Sequence, residues 1–232
     1  MAQYGDYCPL ARASEILATR WTPLIVRNLQ MGCTTFSAIH AGVPGISRTL
    51  LSQRLRMLEH HGIVEHPPGT REYVLTEAGE QLGVVCDALG RWGELWLELA
   101  PEHFDAAKVL WALSVMIDES TLPEERHVLR FDVAAPEREH FWLVLDRPTV
   151  EVCRRPVGDR DDLVVRVAHA EALVRWHTGD MSLGQAMAAG QMAVEGPRWL
   201  ERLFASWGGT VTYPQFAGIS GPEARQGTPV AR

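Results

Sequence analysis

Thr49, Ser52, Gln53 and Arg56 fall, at about 100° per residue, on a single arc of a helix. Arginine and glutamine make paired contacts to base edges, and serine and threonine serve a base or a phosphate. Arg48 at the start of the same stretch and Ser37 one element earlier extend the set toward the backbone of a duplex. Arg71 follows Pro67-Pro68-Gly69-Thr70, a turn-forming tip that suits a phosphate or the minor groove. The net charge of −7 conceals this chemistry, because residues 12–71 hold seven arginines against only Glu15, Glu59 and Glu65. A basic island in an acidic chain predicts a double-stranded DNA operator as partner, with Ser37, Arg48, Thr49, Ser52, Gln53, Arg56 and Arg71 as the binding residues.

Other chemistries are poorly provided for. Gly42-Val43-Pro44-Gly45 lacks the spacing and the lysine of a phosphate loop, and no serine sits in a G-x-S-x-G elbow. His60-His61 and His66 lack the i,i+4 spacing of a zinc pair. Asp159, Asp161 and Asp162 read as a solvated turn ahead of a strand. No catalytic residue, metal or cofactor is therefore expected. Cys8, Cys33, Cys86 and Cys153 are too far apart for a zinc knuckle. Cys8 precedes Pro9 at the expected start of the first helix, where the dipole favours a thiolate, so it is the candidate redox-sensing residue. The other three read as buried small hydrophobes. Residues 1–7 form no signal peptide and no apolar run is long enough to span a bilayer, so a cytoplasmic location is expected.

The elements that would position the basic residues are legible from caps and periodicity. Ser47 follows the breaker Pro44-Gly45 and Gly62 closes the stretch, which gives a helix of roughly 22 Å, enough to run along a groove. Leu50, Leu51, Leu55, Met57 and Leu58 form its inner arc. Arg54 projects from that arc and is expected to reach along the flank to a phosphate or a carboxylate. Residues 63–66 and 72–75 read as the strands of a wing. Helices are expected over 9–18 and 21–31, and a longer one opens at Thr76. On that last helix Leu82, Val85, Leu89, Trp92, Trp96 and Leu99 are spaced by threes and fours, a packing seam. Leu82, Val85, Leu89, Trp92 and Trp96 are the dimerisation candidates for a homodimer.

The N-terminal hundred residues resemble the HxlR family of bacterial winged helix-turn-helix transcription regulators. The likeness rests on Tyr7-Cys8-Pro9-Leu10, Arg20-Trp21-Thr22-Pro23-Leu24-Ile25, Phe36-Ser37, Pro44-Gly45-Ile46-Ser47, Leu51-Ser52-Gln53-Arg54-Leu55-Arg56-Met57-Leu58-Glu59 and Tyr73-Val74-Leu75-Thr76-Glu77-Ala78-Gly79, in the family's order. It implies a cytoplasmic dimer on a two-fold operator, often responding to a small molecule or to electrophile stress, in some members through a cysteine at the place of Cys8.

Past residue 100 the pattern changes to an α+β arrangement. A helix is expected over 105–117, strand-like runs over 127–134, 140–146, 149–154 and 163–169, and helices over 170–177, 182–189 and 197–207. This part resembles a sterol-carrier-protein-like domain, on Asp162-Leu163-Val164-Val165, Leu173-Val174-Arg175-Trp176-His177-Thr178-Gly179, Ser182-Leu183-Gly184-Gln185-Ala186-Met187-Ala188-Ala189-Gly190, Val194-Glu195-Gly196-Pro197 and Leu203-Phe204-Ala205-Ser206-Trp207. That resemblance implies a five-stranded sheet with helices on one face and an apolar tunnel beneath them. The ligand-pocket candidates are Trp142, Leu173, Trp176, Met187, Met192, Leu200, Phe204 and Trp207, for a hydrophobic small-molecule effector. The expected domains are thus 1–100 (DNA binding and dimerisation), 101–214 (ligand binding) and a mobile tail over 215–232. The competing reading is a soluble carrier of hydrophobic ligands whose winged helix serves protein contacts.

Overall fold

Capping side chains set the helix starts in the first part of the chain. The computed structural model describes residue 5 and residues 7–209, and the tail expected over 215–232 lies outside the described residues. The helices are α1 (Pro9–Leu17), α2 (Thr22–Gln30), α3 (Phe36–Ala41), α4 (Arg48–His60) and α5 (Glu77–Trp96). Thr35, Ser47 and Thr76 cap α3, α4 and α5, each side-chain oxygen accepting from the backbone N–H three residues on. Gly62 takes a left-handed φ of 65° after α4, a conformation open to glycine without penalty, and turns the chain into the wing. The wing is β1 (Val64–Glu65) against β2 (Val74–Leu75), antiparallel, with Val64 opposite Leu75. Both strands are shorter than their sequence runs.

The described residues divide into two compact units, the first ending at Glu98 and the second beginning at Leu99. In the first, Ile25, Val26, Leu29, Ile39, Leu51, Leu55 and Leu58 are buried. Polar groups fix how α2 meets α3. The Asn28 side chain is fully buried, donates to the Ile39 carbonyl at 3.1 Å and accepts from Arg27 Nη2 at 2.9 Å. Arg27 Nη2 also donates to the Gly42 carbonyl at 3.2 Å. An amide satisfied in the core holds one geometry, because any shift strands a buried polar group at a cost of about 1–3 kcal/mol. Arg54 departs from expectation: its Nε donates to the Arg20 carbonyl at 3.3 Å, which ties α4 to the turn before α2.

The second unit is a five-stranded sheet with α6 (Ala106–Met116), α7 (Ala170–Thr178), α8 (Leu183–Ala188) and α9 (Arg198–Ala205). The strands are β3 (His127–Val133), β4 (Glu139–Asp146), β5 (Thr149–Cys153), β6 (Leu163–Val167) and β7 (Met192–Glu195). Their order is β5-β4-β3-β6-β7, with β3 and β6 parallel and every other pair antiparallel. The residue pattern marked four strands. The fifth, β7, carries only four residues between a glycine turn and a helix, too short to show alternation. One sheet face supplies Leu129, Phe131, Phe141, Leu143, Leu163 and Val165 to a core that all four helices complete, Leu110, Leu173, Ala186 and Phe204 among them.

Candidate nucleic-acid interface

The outward face of α4 is built from local rules. With Leu51, Leu55 and Leu58 buried, Thr49, Gln53, Arg56 and His60 are left exposed at steps of four, three and four, one continuous strip. Ser52 is half-buried, and its hydroxyl accepts from Arg56 Nη2 at 3.0 Å. Its place is therefore to steady the arginine one turn on, and not that of an open contact. Arg48 and Ser37 are both exposed, and the Arg48 guanidinium stands 6.0 Å from the centroid of Phe36, across the starts of α4 and α3.

The wing is rooted by groups that the sequence did not mark as functional. Thr76 Oγ1 donates to the Gly62 carbonyl at 2.6 Å while capping α5, so one side chain anchors both the wing and the long helix. Gly79 lies against this junction, where an added Cβ would stand 2.2 Å from the Ile63 carbonyl oxygen. His66 packs on Tyr73 with ring centroids 4.1 Å apart. Its Nδ1 bonds the Glu72 carbonyl at 2.7 Å, and its Nε2 lies 3.1 Å from Glu59 of α4. His66 thus links the end of the exposed helix to the wing, a link made by residues seven apart that no periodicity brings together. Arg71 is exposed at the tip and makes no hydrogen bond or ion pair with the described residues.

The seam on α5 is open to solvent along most of its length. Val85, Leu89, Trp92 and Trp96 are 49–52% exposed, whereas Leu82 is half-buried. The difference has a local cause: α5 lies against α2 near Leu82, with Gln30 so close to Gly83 that an added Cβ would sit 2.2 Å from its Nε2. Cys8 is the N-cap of α1, half-buried, with Pro9 following it. Cys33 and Cys86 are buried, and burial pushes the Cys86 thiol up to about 11. Cys153, at the end of β5, is only half-buried, against expectation.

In the second unit the ligand-pocket candidates do not come together as one site. Leu173, Trp176, Leu200, Phe204 and Trp207 pack into the core, Trp176 stacking on Phe204 at 4.5 Å and Trp207 meeting it edge-on at 6.0 Å. Trp176 and Trp207 both pack on Phe204 in the region where the resemblance implied an apolar tunnel. Met187 is 45% exposed and stands apart from that core, whereas Met192, on β7, is buried in it. Trp142 is on the other sheet face, because β4 alternates and its neighbours Phe141 and Leu143 take the core side. There the Trp142 indole N–H donates to Asp161 Oδ1 at 3.0 Å, and Arg130 Nη1 donates to Asp161 Oδ2 at 2.8 Å. Asp162 accepts from the Val128 N–H at 2.9 Å. These aspartates, expected to be solvated, tie the loop before β6 to β3 and β4. Among the described residues no group of three or more His, Cys, Asp or Glu is placed to hold a metal ion, and no helix is long and apolar enough to cross a membrane.

Residues 16–101 match the HxlR-like helix-turn-helix family. Over 100 residues the chain is 35% identical to the uncharacterized HTH-type transcriptional regulator YvaP of Bacillus subtilis, an alignment covering 40% of this chain and 93% of that protein. It is 34% identical over 97 residues to the HTH-type transcriptional regulator YodB of the same organism, covering 39% of this chain and 87% of YodB. Among solved structures, quinone-bound YodB from B. subtilis aligns at 35% identity, covering 38% of this chain and 97% of that one, with a TM-score of 0.35.

Proposed function

The chain belongs to the HxlR-like helix-turn-helix family, and on that premise we propose that it is a dimeric transcription regulator in which α4 enters the major groove and the wing tip grips the flanking backbone. The observation that carries this reading is the exposed strip of Thr49, Gln53 and Arg56 together with the unengaged Arg71 of the wing, polar side chains capable of base and phosphate contact where a protein-docking face would present apolar area. Two copies joined along the exposed seam of α5 would present two such strips, as a two-fold operator requires. The second unit is where a small molecule exerts control on this reading. Cys8, at the cap of α1, is its electrophile-responsive residue.

A salt-dependent gel shift on the protein's own promoter region tests the assignment. Arg56→Ala and Gln53→Ala each remove contacts worth about 1–3 kcal/mol on the specific site and leave nonspecific binding nearly intact. Arg71→Ala weakens binding on all sequences alike and lowers the salt slope by about 1. Wild-type operator binding by all three variants would refute the groove assignment.

A further inference from the structure

The carboxyl ends of the parallel strands β3 and β6 lie side by side, and the chain leaves them in opposite directions. From β3 it turns back into β4 on one side; from β6 it passes through α7 and α8 to β7 on the other. In open sheets such a divergence leaves a crevice where ligands settle. Here it is a cleft of about 350 Å³, within the size range of small-molecule sites. Ala134, Ala168 and Ala193 give it an exposed apolar floor over the buried Val133 and Val167. Arg138, His140, Arg166 and Asp132 form its polar wall.

Among the charged residues that line this cleft, Asp132 and Arg166 have ion-pair partners and Arg138 has none. Arg166 pairs with Glu195, Arg130 with Asp161 and Asp132, and Arg154 with Glu139. Asp132 also holds His140, with Nδ1 to Oδ1 at 2.8 Å, which leaves the His140 Nε2 available to a ligand. Arg138 is exposed and makes no hydrogen bond or ion pair with the described residues. One unmatched guanidinium over an apolar floor suits a single negative charge on an apolar body, and a planar fork suits a carboxylate.

We propose that this cleft binds a compact monocarboxylate, its carboxylate on Arg138 with Arg166 alongside and its apolar body on the alanine floor. The site deepens the reading of the second unit as the place of control and rests on that reading for its use in regulation, though not for binding itself.

Calorimetric titration of the full chain with sodium benzoate, and with benzamide as the neutral counterpart, tests it. Benzoate binds, benzamide binds at least about tenfold more weakly, and Arg138→Ala weakens benzoate binding about tenfold or more. Arg166→Ala weakens it too, and Arg138→Lys restores part of the loss. Arg138 is exposed and makes no hydrogen bond or ion pair with the described residues, so its loss leaves the fold standing, which a melting curve verifies. No binding at millimolar benzoate, or equal binding by benzamide or by the Arg138→Ala protein, overturns the proposal. Gel shifts on the same preparations separate the two readings. Arg138-dependent binding that leaves operator affinity unchanged upholds the site and refutes its part in control, whereas absent binding refutes the site and leaves DNA recognition untouched.

Discussion

On the proposed dimer, replacing Leu89 and Trp92 together with glutamate should yield a monomer that stays folded. Both side chains are about half exposed within one chain, 51% and 52%, so neither is needed to complete the core of the first unit. The exposed half of a tryptophan is about 100 Å², worth about 2.5 kcal/mol when a partner covers it, and the exposed half of a leucine adds about 1 kcal/mol. A two-fold interface counts each contribution twice, so the double variant forfeits about 7 kcal/mol, or about five powers of ten in the dimer dissociation constant. Four carboxylates brought to one seam add repulsion in the same direction. Sedimentation velocity at micromolar concentration reads the outcome directly, and melting curves report the fold. Operator affinity should fall with dimerisation, because a monomer engages one half-site where a dimer spans two, about 34–36 Å apart. A wild-type protein that sediments as a monomer, or a double variant that dimerises as tightly as wild type, would refute the reasoning.

Two further outcomes follow from single buried groups. His177 is 5% exposed, and burial lowers its pKa to about 4 from an ordinary 6.5, so the unfolded chain binds a proton that the folded one resists. That contribution is intact above pH 6.5 and is lost as the pH falls toward 4, by roughly 3 kcal/mol. Denaturation at stepped pH should therefore show wild type losing more stability in this window than His177→Gln; parallel curves would count against it. Gly79→Ala would place a Cβ 2.2 Å from the Ile63 carbonyl oxygen and 3.0 Å from Leu75 Cδ2, pushing α5 off the base of the wing. A loss of about 1–3 kcal/mol in chemical denaturation is expected, with weaker operator binding, and an unchanged midpoint would show that the junction yields freely.

Much of the first unit was legible because its determinants are local. Thr35, Ser47 and Thr76 are helix caps by chemistry as well as position, and Leu51, Leu55 and Leu58 specify which face of α4 is buried and so which side chains remain outside. The exposed half of α5 was legible for the same reason, since Val85, Leu89, Trp92 and Trp96 keep a helical stripe that one domain of this size cannot cover. What escaped were partners on different elements: His66 with Glu59, the Asn28 amide with the Ile39 carbonyl, Asp161 with Arg130 and Trp142.

The pocket candidates mark the boundary between the two kinds of information. By composition Trp142, Trp176 and Phe204 are the same sort of residue, large and apolar, and residue type alone places them together. Strand parity then sends Trp142 to the far face, where its N–H finds a carboxylate, while Trp176 stacks on Phe204 in the core. The helix starts, the exposed polar strip of α4 and the apolar seam of α5 are written in residue order, because capping and periodicity act over one or two turns. Which aromatic rings meet, which aspartates are held and where a cleft remains emerge only on folding, because those depend on strand order and on close packing between residues that the chain keeps tens of positions apart.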